Sequence, residues 1–191
     1  MTPTIKDIGP NHPINYWISE IKDIGLRNNI NCYLHYHWRP LTTHPASIRH
    51  HHTDTGGLAD HTVEVVHIGC TIIESLALTD RINRDHYIAS ALLHDLGKIH
   101  RYVYDDGALR WGYADSASLK TVNSGRMDHA LFPIIDYPIV TGHPLPRPVA
   151  LAIASHMGGF SKTSVTPNTL LEVVLMSADY ISSHIEEEER K

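Results

Sequence analysis

Apolar residues recur at helical spacing along most of the chain. Around Pro13–Leu26, Ile14, Trp17, Ile18, Ile21 and Ile24 fall near one face, and Pro13 suits a first helical turn. A second short helix is predicted near 30–36, with longer ones at 58–78 and 85–98. Helical segments resume at about 127–136, 147–156 and 168–185. Between them, 39–57 is rich in turn formers and reads as a long ordered loop or a broken short helix, and loops of that length are usually functional. Residues 99–124 keep no helical period; a central Asp-Asp-Gly flanked by alternating aromatics predicts a small β-hairpin or ordered loop near 101–113. The fold expected is an all-α bundle of five or six helices. Residues 1–12 form a loose lead-in, 13–185 one domain, and 186–191 a charged tail.

On these faces certain polar residues stand where apolar ones belong. Asp95 falls seven after Ile88 and His94 three after Ala91, continuing the inward stripe of their helix. Asp179 follows Leu175 by four, and His156 follows Val149 by seven and Ile153 by three. His61 is followed at +4, +7 and +11 by Val65, Ile68 and Ile72. Four helices therefore aim a His or Asp at one core. Buried carboxylates without partners are costly, and cations are the natural way to satisfy several aspartates and histidines converging there. Carboxylate mixed with imidazole suits Mn, Fe, Co, Ni or Zn, in one or two ions.

Composition agrees. The 191 residues suit one domain, and 16 are His, with three consecutive at 50–52. A net charge of -5 argues against a large nucleic-acid grip, so the substrate is expected to be a nucleotide or a short single-stranded segment. Cys32 and Cys70 lack paired spacing, neither a signal peptide nor a membrane span is visible, and a reduced, cytoplasmic protein is expected. The oligomeric state is not legible.

Gly56-Gly57-Leu58-x-x-His61-Thr62, Leu92-Leu93-His94-Asp95-Leu96-Gly97-Lys98 and a late Asp179 together resemble the HD superfamily of metal-dependent phosphohydrolases. The preceding Pro45-Ala46-Ser47-x-x-His50-His51-His52 is similar to YhaM-type 3′→5′ exoribonucleases and to the HD region of MobH/TraI-type relaxases. The resemblance implies an HD-domain helical bundle in which His61, His94, Asp95 and Asp179 hold a first metal. It implies a second metal held by His129 and His156 with Asp95 bridging, although Met157 replaces a second His of the family pattern, and Asp128 and His143 compete with His129. Asp95, Lys98 and Arg126 are the expected catalytic residues; His51, His52, Lys98 and Arg126 are expected to meet substrate, and Tyr102, Tyr104 and Trp111 offer stacking surface. The activity implied is phosphodiesterase or 3′→5′ exonuclease chemistry through a metal-activated water. Two other readings stay open: a di-iron oxygenase using the same six ligands, and a metal-stabilised non-catalytic module of a mobile-element DNA-processing system.

Overall fold

A computed structural model describes residues 12–106, 108, 110–113, 129–160 and 165–189. Among them lie eight α-helices: α1 (Pro13–Ser19), α2 (Ile24–Tyr36), α3 (Trp38–Thr43), α4 (Gly57–Ser75), α5 (Arg84–Leu93), α6 (Leu131–Thr141), α7 (Arg147–Ser155) and α8 (Leu170–Glu189). A 3-10 turn, Leu96–His100, leads into the antiparallel pair β1 (Tyr102–Asp105) and β2 (Arg110–Tyr113). The all-α expectation and the small hairpin both hold.

Two boundaries differ from the periodic pattern. The helix expected over 13–26 is two helices, broken at 20–23. Asp23 accepts from the Leu26 amide at 2.9 Å and starts α2, while Asp85 Oδ2 accepts from the amides of Lys22 and Asp23 at 3.1 and 2.8 Å. The helix expected over 85–98 stops at Leu93, leaving His94 and Asp95 beyond its last turn.

The long α4 lies at the centre, packed against α8, α5, α3 and α1, while α7 packs on α5 and α8. Ile14, Tyr33, Leu58, Val65, Ile88, Leu92, Val149, Ile153, Leu175 and Ala178 fill the core between them. Thr169 and Glu172 cap α8 reciprocally: the Glu172 amide donates to Thr169 Oγ1 at 3.3 Å and Thr169 Oγ1 to Glu172 Oε1 at 2.9 Å. No helix among the described residues is long and apolar enough to cross a membrane.

Candidate metal centre

Each side chain of the centre arrives by a local device. His94 and His156 sit at the C-caps of α5 and α7, where the last carbonyls lack helical partners. Their Nδ1 atoms take those carbonyls, Ala91 O at 2.8 Å and Ile153 O at 2.7 Å, and both rings are thereby turned with Nε2 toward the core. His61 stands in the second turn of α4, and Asp179 on the facing side of α8. Gly97 brings in His129: a Cβ there would lie 2.1 Å from His129 O, so only glycine lets that backbone pass the 3-10 turn.

The result is two groups sharing one carboxylate. His61, His94, Asp95 and Asp179 form the first, and Asp95, His129 and His156 the second. Asp95 Oδ2 faces His61 Nε2 at 3.3 Å and His94 Nε2 at 3.5 Å, whereas Oδ1 faces His129 Nε2 at 3.3 Å and His156 Nε2 at 3.6 Å. Asp179 Oδ1 lies 3.1 Å from His61 Nε2 and 3.7 Å from His94 Nε2. His61, His94, Asp95 and His156 are almost wholly buried, and Asp179 alone of the first group keeps partial solvent contact.

These residues fit divalent cations on their own chemistry. The buried Nε2 atoms of His61, His94 and His156 and both oxygens of Asp95 make no hydrogen bond of good geometry, although Lys98 forms an ion pair with Asp95 Oδ2. Donor atoms about 2.1 Å from one ion and at right angles would stand about 3 Å apart, close to the separations here. Groups held near one another without bonding, in a buried site, are what a cation would join.

The electrostatics are those of a charged, dry cluster. Burial alone would raise both aspartates, but Lys98 and His94 hold Asp95 well below the usual carboxylate range, and the facing His61 and His94 imidazoles do so for Asp179. Burial opposes a charge on His61 and His156, yet the facing aspartates outweigh it and raise both. His129 goes the other way, because its burial exceeds the help from Asp95. Lys98 is buried with Nζ 2.5 Å from Asp95 Oδ2, and that carboxylate raises it against the cost of burial.

The remaining expected residues divide. His51 and His52 pack their rings 4.9 and 5.2 Å from that of His61, and the three also form a possible cation group. Burial, with His61 and Lys98 nearby, lowers His51 to about 3, which keeps it neutral. His52 has a positive φ of 46°, and Gly57 is tight against it, since a Cβ there would lie 2.1 Å from His52 O. His143 is exposed and belongs to neither group, while Arg126 and Asp128 lie outside the described residues. Tyr102 is buried; Tyr104 and Trp111 pair across the strands with rings 5.4 Å apart. A cleft of about 620 Å³ runs between the hairpin and the outer side of the loop that carries His51 and His52, lined by Arg49, Thr53, Tyr104, Arg110, Trp111 and Tyr113 among others. The reading from sequence passed over Glu64 and Ser182, which bond behind His61; their signal was spacing, three after His61 and three after Asp179.

The family model described as HD domain matches residues 58–183. The chain is 30% identical over 182 residues to the dihydroneopterin 2′,3′-cyclic phosphate phosphodiesterase of Methanocaldococcus jannaschii, covering 87% of this chain and 66% of that protein. It is 31% identical over 86 residues to the 3′-5′ exoribonuclease YhaM of Listeria monocytogenes and 33% identical over 86 residues to that of Shouchella clausii, in each case 45% of this chain and 26% of the relative. It thus spans just under two thirds of the first relative and about a quarter of the others. No solved structure matches. On the family match and the motifs that carry it, this chain belongs to the HD-domain family.

Proposed function

We propose that the protein is a metal-dependent phosphodiesterase acting on a small nucleotide-like phosphodiester, with short single-stranded nucleic acid as the larger substrate of the same class. The observation that carries this reading is the division of the Asp95 carboxylate between two histidine groups. His61, His94, Asp95 and Asp179 would hold one divalent transition-metal ion, and Asp95, His129 and His156 a second. When bound, such ions supply Lewis acidity toward phosphoryl oxygens and a water acidic enough to be deprotonated near neutral pH.

The chain's own residues do the rest. Asp95 keeps its charge in the buried centre because Lys98 and the facing imidazoles stabilise the carboxylate. Lys98 Nζ, close to Asp95 Oδ2, would meet a phosphate oxygen entering there and neutralise charge that develops on it. Arg126, three residues before His129, is assigned the same kind of work. His51 and His52 border the entrance beside His61, and the cleft behind them offers Tyr104 and Trp111 for stacking and Arg49 and Arg110 for anionic groups.

A small substrate is supported by the net charge of -5 and by the relative that aligns over 87% of this chain, whose name states a cyclic phosphate substrate. The test is hydrolysis of bis-p-nitrophenyl phosphate, 2′,3′-cyclic nucleotides and short oligonucleotides with Mn, Fe, Co, Ni and Zn. Activity that needs a metal and vanishes in the His94→Ala, Asp95→Ala double variant is expected. Equal activity in that variant or in metal-stripped protein would sink the reading. Iron-dependent oxygen uptake without hydrolysis would favour oxygenase chemistry instead.

A further inference from the structure

His61 differs from the other deeply buried histidines of the centre in how its ring is held. His94 and His156 bond backbone carbonyls in the last turns of their own helices. Inside α4, the His61 ring finds its Nδ1 acceptor on another helix instead. That acceptor is Ser182 of α8, whose Oγ lies 2.9 Å from His61 Nδ1. Ser182 has a single hydroxyl proton and donates it to Glu64 Oε2 at 2.6 Å. Toward His61 it has only lone pairs left, so Nδ1 must carry a proton, and once the ring is neutral Nε2 is the nitrogen with the lone pair. Glu64 Oε2 also lies 3.3 Å from His52 Nε2, on the loop before α4.

We infer that Glu64 and Ser182 are positioning residues for the metal centre: through the chain Glu64–Ser182–His61 they fix the neutral His61 tautomer whose Nε2, on the side of Asp95 and Asp179, is the ligand atom, and through His52 the same carboxylate anchors the loop before α4. The inference rests on the proposed metal role of His61. A neutral imidazole unsupported at Nδ1 divides between two tautomers, and only one of them presents Nε2 as a ligand. A carboxylate behind a ligating imidazole also strengthens it as a base. The arrangement spans α4 and α8: His61 precedes Glu64 by three residues on α4, and Asp179 precedes Ser182 by three on α8.

The full chain and its Ser182→Ala and Glu64→Ala variants are titrated with Zn(II) against a chromophoric chelator, with thermal unfolding read alongside. Zinc affinity about 10- to 100-fold weaker in both variants is expected. Glu64→Ala is informative because it frees the Ser182 proton to be donated to His61, which favours the wrong tautomer. Long-range ¹⁵N–¹H spectra of the zinc-loaded wild type provide a readout that a merely structural role would not move: the proton is expected on Nδ1 of His61 and the metal on Nε2. Affinity within twofold of wild type in both variants, or the opposite assignment of the two nitrogens, overturns the relay. Should Ser182→Ala fail to fold, Glu64→Ala and the wild-type spectrum decide. A wild type that binds no zinc overturns the metal reading beneath the relay, which distinguishes that failure from the relay's own.

Discussion

Lys98 holds its ammonium 2.5 Å from Asp95 Oδ2, although both side chains are nearly out of water. Removing one partner of a buried pair leaves the other charge unsatisfied, at a cost of about 3–5 kcal/mol. In the metal-free protein Lys98→Met is therefore expected to lower stability by an amount of that order. Divalent metal should restore part of it, because cations beside Asp95 replace the lost ammonium. Chemical denaturation with and without metal measures both. Equal loss in the two conditions would mean that the pair and the metal act at different places.

Gly97 makes room for the backbone of His129, and an added Cβ would meet His129 O at 2.1 Å. Gly97→Ala should push that segment away and cost about 1–3 kcal/mol through overpacking. Its effect should fall on the second histidine group, so zinc titration is expected to lose one of two binding events and keep the other. Unchanged binding at both would contradict the placement of His129.

The titration of the imidazoles sets a pH dependence with opposite signs in the two states. His61 and His156 are raised above the usual value, so their protons stabilise the metal-free fold fully below about pH 6.5, and that stabilisation is lost as pH rises through the raised values. Asp95 and Asp179 are depressed; their contribution is present above about pH 4 and lost as pH falls through their folded values. Metal competes with the imidazole protons, so its affinity should climb with pH until both histidines are neutral. The melting-temperature gain from metal is thus expected to be larger at pH 8 than at pH 6. Calorimetry in buffers of different ionisation enthalpy should record proton release on binding; none released would contradict the raised imidazoles.

How far the sequence reached depends on the range of the forces involved. The inward direction of His61, His156 and Asp179 was legible because helical spacing relates each to apolar neighbours on its own helix. His94 and Asp95 were legible for the same reason, yet the helix ends before them, since Asp95 leaves helical geometry with ψ near 3°. The break at 20–23 was not legible: it is held by Asp85, more than sixty residues away. The Glu64–Ser182 bond, 118 residues apart in sequence, was hidden likewise: spacing sets each three residues after a candidate ligand, but nothing local pairs the one with the other.

Trp111 packs on Tyr104 and lies 4.7 Å, ring to ring, from His44, forming part of the wall of the cleft. Stacking of one base is worth about 1–3 kcal/mol. Trp111→Ala is expected to raise KM on the order of tenfold for a cyclic nucleotide while leaving kcat, and the hydrolysis of bis-p-nitrophenyl phosphate, close to wild type. Equal losses on both substrates would place Trp111 in the support of the fold instead.

The sharing of Asp95 between two groups makes metal stoichiometry the most direct measurement. Elemental analysis of purified, metal-reconstituted protein is expected to give two ions per chain, and one per chain in a His129→Ala, His156→Ala double variant that retains the first group. A wild-type value of one that is unchanged by that double substitution, or a value near zero, would contradict the two-metal account.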